Sequence, residues 1–88
     1  MKDEHYEQAR ARLLAALAEH ERGALDHAGL QAAVQDVQEA LADAQTELRR
    51  VLFEADVALE YAQDGRPDGA ELRTSLRRAR RNVREALG

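Results

Sequence analysis

The stretch from Leu30 to Asp64, LQAAVQDVQEALADAQTELRRVLFEADVALEYAQD, contains neither Gly nor Pro. Nothing in it signals the end of a helix. Its apolar positions, Leu30, Val34, Val37, Leu41, Ala44, Leu48, Val51, Ala55, Ala58 and Ala62, alternate spacings of four and three without a fault. A helix puts residues so spaced on one face, and a seam held over several heptads is a coiled-coil-type signal. The pattern predicts one long helix over 27–64, started by Asp26 as N-cap and stopped by Gly65. At about 1.5 Å per residue it would be about 55–60 Å long.

The same rules, carried outward, give two shorter helices. A first helix is expected over 3–22, with the seam Tyr6, Ala9, Leu13, Ala16, Leu17 and His20. Asp3, Glu4 and Glu7 suit the positive end of its dipole, and Gly23 suits the position just past its end. A last helix is expected over 69–87, opened by Asp68 and Glu71 in capping-box spacing after Pro67. Its seam is Leu72, Leu76, Ala79, Val83 and Ala86 or Leu87. Gly23, Asp26, Ala28, Leu30 and Val34 recur (65 − 23 = 42) residues later as Gly65, Asp68, Ala70, Leu72 and Leu76. A duplicated hairpin gives such an echo. So do two unrelated helices that share a stop, a cap and a seam, which is the simpler reading.

The expected fold class is therefore all-α: antiparallel helical hairpins in a single domain over 1–88, three helices with a long central one. Each short helix would cover half of the long one. Such a protomer is two helices thick and leaves one side apolar. In the second half of the central helix, Val51, Leu52, Ala55, Ala58, Leu59 and Ala62 make one face. Phe53, Val57 and Tyr61 make another, across a narrow strip of Arg49, Asp56 and Glu60. A helix apolar on two sides takes two partners. The expectation is a homodimer closed by two-fold symmetry into an elongated four-helix-type bundle. Its interface would hold Leu41, Leu48, Leu52, Phe53, Val57 and Tyr61. The alternative is a compact three-helix monomer whose central helix protrudes, which leaves Phe53, Val57 and Tyr61 poorly covered.

Composition points the same way. Hydrophobic residues are 44% of the 88, but many are Ala, and the aromatics are one Phe and two Tyr with no Trp. That is a thin core for a monomer. The absence of Cys excludes a disulfide framework, thiolate metal sites and a Cys nucleophile. No run approaches the roughly 18 apolar residues of a membrane span, and Met1 to His5 lack a signal-peptide core. No membrane partner and a cytoplasmic location are expected. The net charge of −4 does not draw the whole molecule to nucleic acid or an anionic membrane.

That charge is unevenly spread. Through Pro67 there are 7 basic and 14 acidic residues (7 − 14 = −7), and from Asp68 there are 6 Arg and 3 acids (6 − 3 = +3). Arg73, Arg77, Arg80 and Arg84 recur along one flank of the last seam, with Arg78 and Arg81 further out. Such a row can track phosphates or an acidic partner, which makes Arg77, Arg78, Arg80, Arg81 and Arg84 candidate contacts. The competing reading pairs Arg73 with Glu60 and Arg77 with Asp56 inside the protomer. Arg80 and Arg84 would then need Glu39, Asp43 or Glu47 of a second chain. No aromatic interleaves these arginines, which argues against single-strand stacking.

Chemistry is otherwise sparse. Asp36, Glu39, Asp43 and Glu47 lie off the seam, and no Glu is followed three residues later by His, as a bundle di-metal site requires. Glu39–Asp43 and Asp43–Glu47 are like-charge pairs four apart, which weaken a helix slightly. His5 and His20 are about 22 Å apart along one helix. His20 on the seam is read as a polar register element, and facing a two-fold mate it would make assembly sensitive near pH 6. No His is spaced to activate Thr46 or Ser75, and no Gly-rich phosphate loop is present. No catalytic residue, metal or cofactor is expected. The expected function is a non-enzymatic, homo-oligomeric helical scaffold or protein-protein interaction module. The alternative is a nucleic-acid-associated accessory protein using the Arg-rich last helix, although nucleic acid is the less favoured partner.

Overall fold

The computed structural model describes residues 2–41, 45–65 and 69–88. They form four helices, α1 (Lys2–Glu21), α2 (His27–Ala40), α3 (Thr46–Gln63) and α4 (Gly69–Leu87), and no strand is present among the described residues. The all-helical class stands. The three-helix arrangement does not, because the long central helix is broken into α2 and α3. Leu41 leaves the helix with extended backbone, φ −75° and ψ 143°, and α3 begins after Gln45. Asp43 and Ala44 lie outside the described residues, as do Pro67 and the expected Asp68 cap.

Burial explains why a stretch without a breaker forms two helices instead of one. A break forfeits a few backbone hydrogen bonds, each worth about 0.5–1.5 kcal/mol net. Folding the two halves together lets each fill the other's apolar stripe. Leu30, Val34, Val37, Leu52 and Leu59 are all 2% exposed or less, and full burial of each such side chain contributes about 1.5–3 kcal/mol. The second term wins. The seam is the same in either arrangement, since an apolar stripe of four-and-three spacing serves two short helices as well as one long helix.

The result is an up-down-up-down bundle. His20 of α1 meets His27 of α2 and Arg12 faces Asp36, so those helices run antiparallel. Gln31 of α2 donates to Asp56 Oδ1 at 2.7 Å and to Glu60 Oε1 at 3.1 Å on α3, and Gln63 donates to Gln31 Oε1 at 2.6 Å. This polar clasp fixes the α2–α3 register. A shared hollow puts Glu47 and Val51 of α3 beside Asn82, Glu85 and Ala86 of α4. Arg10 Nε of α1 donates to the carbonyl of Leu87 at 3.0 Å, which brings α4 back to α1. Diagonal pairs, α1 with α3 and α2 with α4, meet through side chains only, and a void of about 10 Å³ marks where Leu17, Leu30, Leu59, Leu76 and Val83 converge.

Local chemistry sets the ends. At the α1 terminus Gly23 takes φ +80°, its N–H bonds to the His20 carbonyl, and Ala24 N–H bonds to the Glu19 carbonyl at 2.8 Å. That double closure is the Schellman arrangement, and the positive φ favours Gly. Asp26 caps α2 by accepting from Gly29 N–H at 2.8 Å. Gly29 lies in the first turn of that helix. The 42-residue echo maps onto two successive hairpins: α1 and α3 end at Glu21 and Gln63, and α2 and α4 begin at His27 and Gly69 (63 − 21 = 69 − 27 = 42).

Candidate functional site

Two surfaces and one buried cluster carry the polar and apolar groups that the bundle leaves over. The first surface is the outward side of α3. Its inward side holds Leu48, Val51, Leu52, Ala55, Leu59 and Ala62, all buried. Leu48 and Leu52 of the expected interface set thus pack inside the chain's own core, and half-buried Leu41 packs against it at the end of α2. Phe53 and Tyr61 point away from that core, 60% and 48% exposed, and half-buried Val57 lies between them. At about 100° per residue the three stay within one narrow stripe. Acids line one edge of it, Asp56 and Glu60, whose carboxylates accept from Gln31.

The second surface is the arginine row of α4. Arg73, Arg77, Arg78 and Arg81 are exposed, and among the described residues none of them makes an ion pair or hydrogen bond. The internal pairing expected of Arg73 with Glu60 and Arg77 with Asp56 does not form; α2 packs antiparallel on α3, and its Gln31 donates to both acids instead. Arg80 and Arg84 also find different partners from those expected. Arg84 NH2 reaches Glu21 Oε1 of α1 at 3.4 Å, and Arg80 NH1 reaches His20 Nδ1 at 3.0 Å. With the chain folded back on itself, α1 lies against α4 and supplies what a second chain was expected to supply.

The buried cluster joins three helices. His20 is 7% exposed, and its Nε2 is 2.9 Å from Nδ1 of His27. An arginine has no acceptor, so Arg80 must donate to His20 Nδ1. The His20 ring proton then sits on Nε2 and is donated to His27. Burial lowers the His20 pKa below its usual 6.5, and the positive charge of Arg80 and the His27 ring add to that, while Asp26 opposes it. The sequence placed His20 on the seam but did not bring it to His27 or Arg80. The usable signal was His20 and His27 flanking a Gly turn, one at each end of an antiparallel pair.

Chemistry beyond this is thin among the described residues. They hold no group of three or more His, Asp or Glu able to hold a metal ion, and no hydrogen bond joins Thr46 or Ser75 to a histidine. The hollow between α3 and α4, about 380 Å³, is open and lined by Glu47, Glu54 and Glu85 with Arg50 already paired to the first two. No helix among the described residues is long and apolar enough to cross a membrane.

Fold and surfaces together define an all-helical, up-down-up-down bundle with an aromatic stripe on one helix and a basic row on the next. No protein-family model matches the chain, and comparisons with curated proteins and with solved structures find no match.

Proposed function

We propose that this chain is a non-enzymatic helical interaction module that associates with itself through the outward face of α3. The observation that carries the reading is the exposure of Phe53 and Tyr61, the large hydrophobics left in solvent among the described residues, on the same face of one helix. Aromatic side chains concentrate at the centres of protein interfaces because they bury much area at little entropic cost. With its core filled by other residues, the bundle leaves both rings largely in solvent. Sedimentation at micromolar concentration tests this: a dimer is expected, and a species that stays at 9.8 kDa overturns it.

A second reading rests on the four exposed, unpaired arginines of α4, which form a basic face on an otherwise acidic molecule. It is a nucleic-acid-associated accessory role, with phosphates as the ligand. The salt dependence of binding to duplex and single strands tests it, with a slope that flattens by about one unit per lost contact when Arg78 and Arg81 become Ala. No binding at about 50 mM salt removes it.

A further inference from the structure

We infer that the surface seated on this stripe is the same stripe of a second copy, related by a two-fold axis through Val57 so that the two α3 helices run antiparallel. The inference rests on the self-association proposed above and specifies its geometry.

The α3 face is symmetric about Val57 in position and opposed in charge. Phe53 and Tyr61 lie four residues to either side, and Arg50 and Asp64 lie seven residues to either side. Four residues advance the helix by about 6 Å and rotate it by about 40°, and seven residues return to within about 20° of the starting direction. All five therefore fall along one outward line. A two-fold axis perpendicular to that line sets Val57 on Val57 of the second copy, Phe53 on its Tyr61, and Arg50 on its Asp64. An isologous interface needs this self-complementarity, each position meeting its mirror in the register.

Charge favours the antiparallel arrangement over the parallel one. The C-terminal half of α3 and its C-cap carry Asp56, Glu60 and Asp64, while the N-terminal half carries Arg49 and Arg50 among Glu47 and Glu54. Side by side in parallel, the acidic halves face each other. Antiparallel, each acidic half meets the positive helix end of the other copy and a half in which Arg49 and Arg50 balance Glu47 and Glu54, with Glu54 level with Glu60 as the like-charge pair of the register. Arg50 is held on this surface by Glu54 at 2.8 Å and by Glu47, so the cation is already in place before association. Three apolar side chains per copy make a small interface, and the assembly is accordingly reversible with concentration.

The absence of Cys makes the test clean, since any introduced thiol is the sole thiol in its chain. Helices packed about 10 Å apart bring facing Cα atoms to about 5 Å, within the span of a disulfide. Under mild oxidation Val57→Cys is expected to give a covalent dimer. Phe53→Cys and Tyr61→Cys, mixed, should cross-link to each other in preference to themselves. Circular dichroism confirms that each variant keeps the helical content of the parent, and these exposed or half-buried positions lie outside the core. A sedimenting dimer in which Val57→Cys stays unlinked, or in which Phe53→Cys links to itself, overturns the register but leaves self-association standing. A monomer at every concentration removes both.

Discussion

Arg80 of α4 donates from NH1 to Nδ1 of His20 on α1 across 3.0 Å, and so fixes which nitrogen of a buried ring carries the proton. The proton on Nε2 then goes to His27 of α2 at 2.9 Å. One chain of donors thus runs through three helices, and it works only while His20 is neutral. A second proton would have to sit on Nδ1, against the guanidinium.

The pH dependence of stability follows from that. In the unfolded chain His20 titrates at its usual value near 6.5, and in the fold it titrates below that. Between the two values the unfolded state binds the extra proton, so the fold is favoured more as pH rises. The contribution is whole above pH about 6.5 and is lost as pH falls through that value towards the folded pKa, at no more than about 1.4 kcal/mol per unit. Urea melts at about pH 7.5 and about pH 5.5 should show the loss, and His20→Gln should flatten the part of the curve near pH 6. An unchanged profile in His20→Gln would remove His20 as the source of the sensitivity.

Removal of Arg80 tests the other end of the relay. Arg80→Met keeps the aliphatic stem but leaves His20 Nδ1 buried without a donor, which costs about 1–3 kcal/mol at neutral pH. It also takes away a charge that holds the ring neutral. The variant should be less stable than the parent at pH about 7.5 yet lose less on acidification, since the His20 pKa moves back towards 6.5. Thermal melts across that range measure both effects at once, and a parallel shift at every pH would mean that Arg80 acts through packing alone.

The helical class, the core seam, the Asp26 cap and the Gly23 stop were legible in the sequence because each depends on residues within one turn of each other. The break between Leu41 and Gln45 was not. Neither Gly nor Pro marks it, and the heptad seam runs through it unchanged. What breaks the helix is the gain from packing Val34 and Val37 beside Leu52 and Leu59, a term that belongs to residues far apart in the chain. His20 and Arg80, 60 residues apart, escaped for the same reason. The exposed side of α3 was legible, because a face opposite a complete seam has nowhere to go in either arrangement.

The position of the break can be measured directly. Spin labels at Gln35 and Glu60, both exposed, would sit about 37 Å apart along one continuous helix (60 − 35 = 25 residues at about 1.5 Å each). In the bundle Gln35 Nε2 is 3.4 Å from Asp56 Oδ1, one turn from Glu60. A pulsed-dipolar distance of about 20 Å or less is expected after allowing for the label arms of antiparallel neighbours about 8–10 Å apart. A distribution centred near the longer value would restore the unbroken helix.

Leu52 and Phe53 are adjacent in sequence, and their truncation should have opposite consequences. Leu52 is fully buried at the meeting of α3 with its neighbours, so Leu52→Ala costs about 2–5 kcal/mol through lost transfer energy and a cavity. For a domain of this size that is a large part of the whole stability. Phe53 is 60% exposed, so Phe53→Ser should change monomer stability by no more than about 0.5 kcal/mol. Its effect should appear only as protein concentration rises, as loss of the dimer in sedimentation and loss of any concentration dependence of the melting temperature. Phe53→Ser that lowers the melting temperature equally at every concentration would mean the ring supports the protomer itself, and the interaction reading of the α3 face would fail.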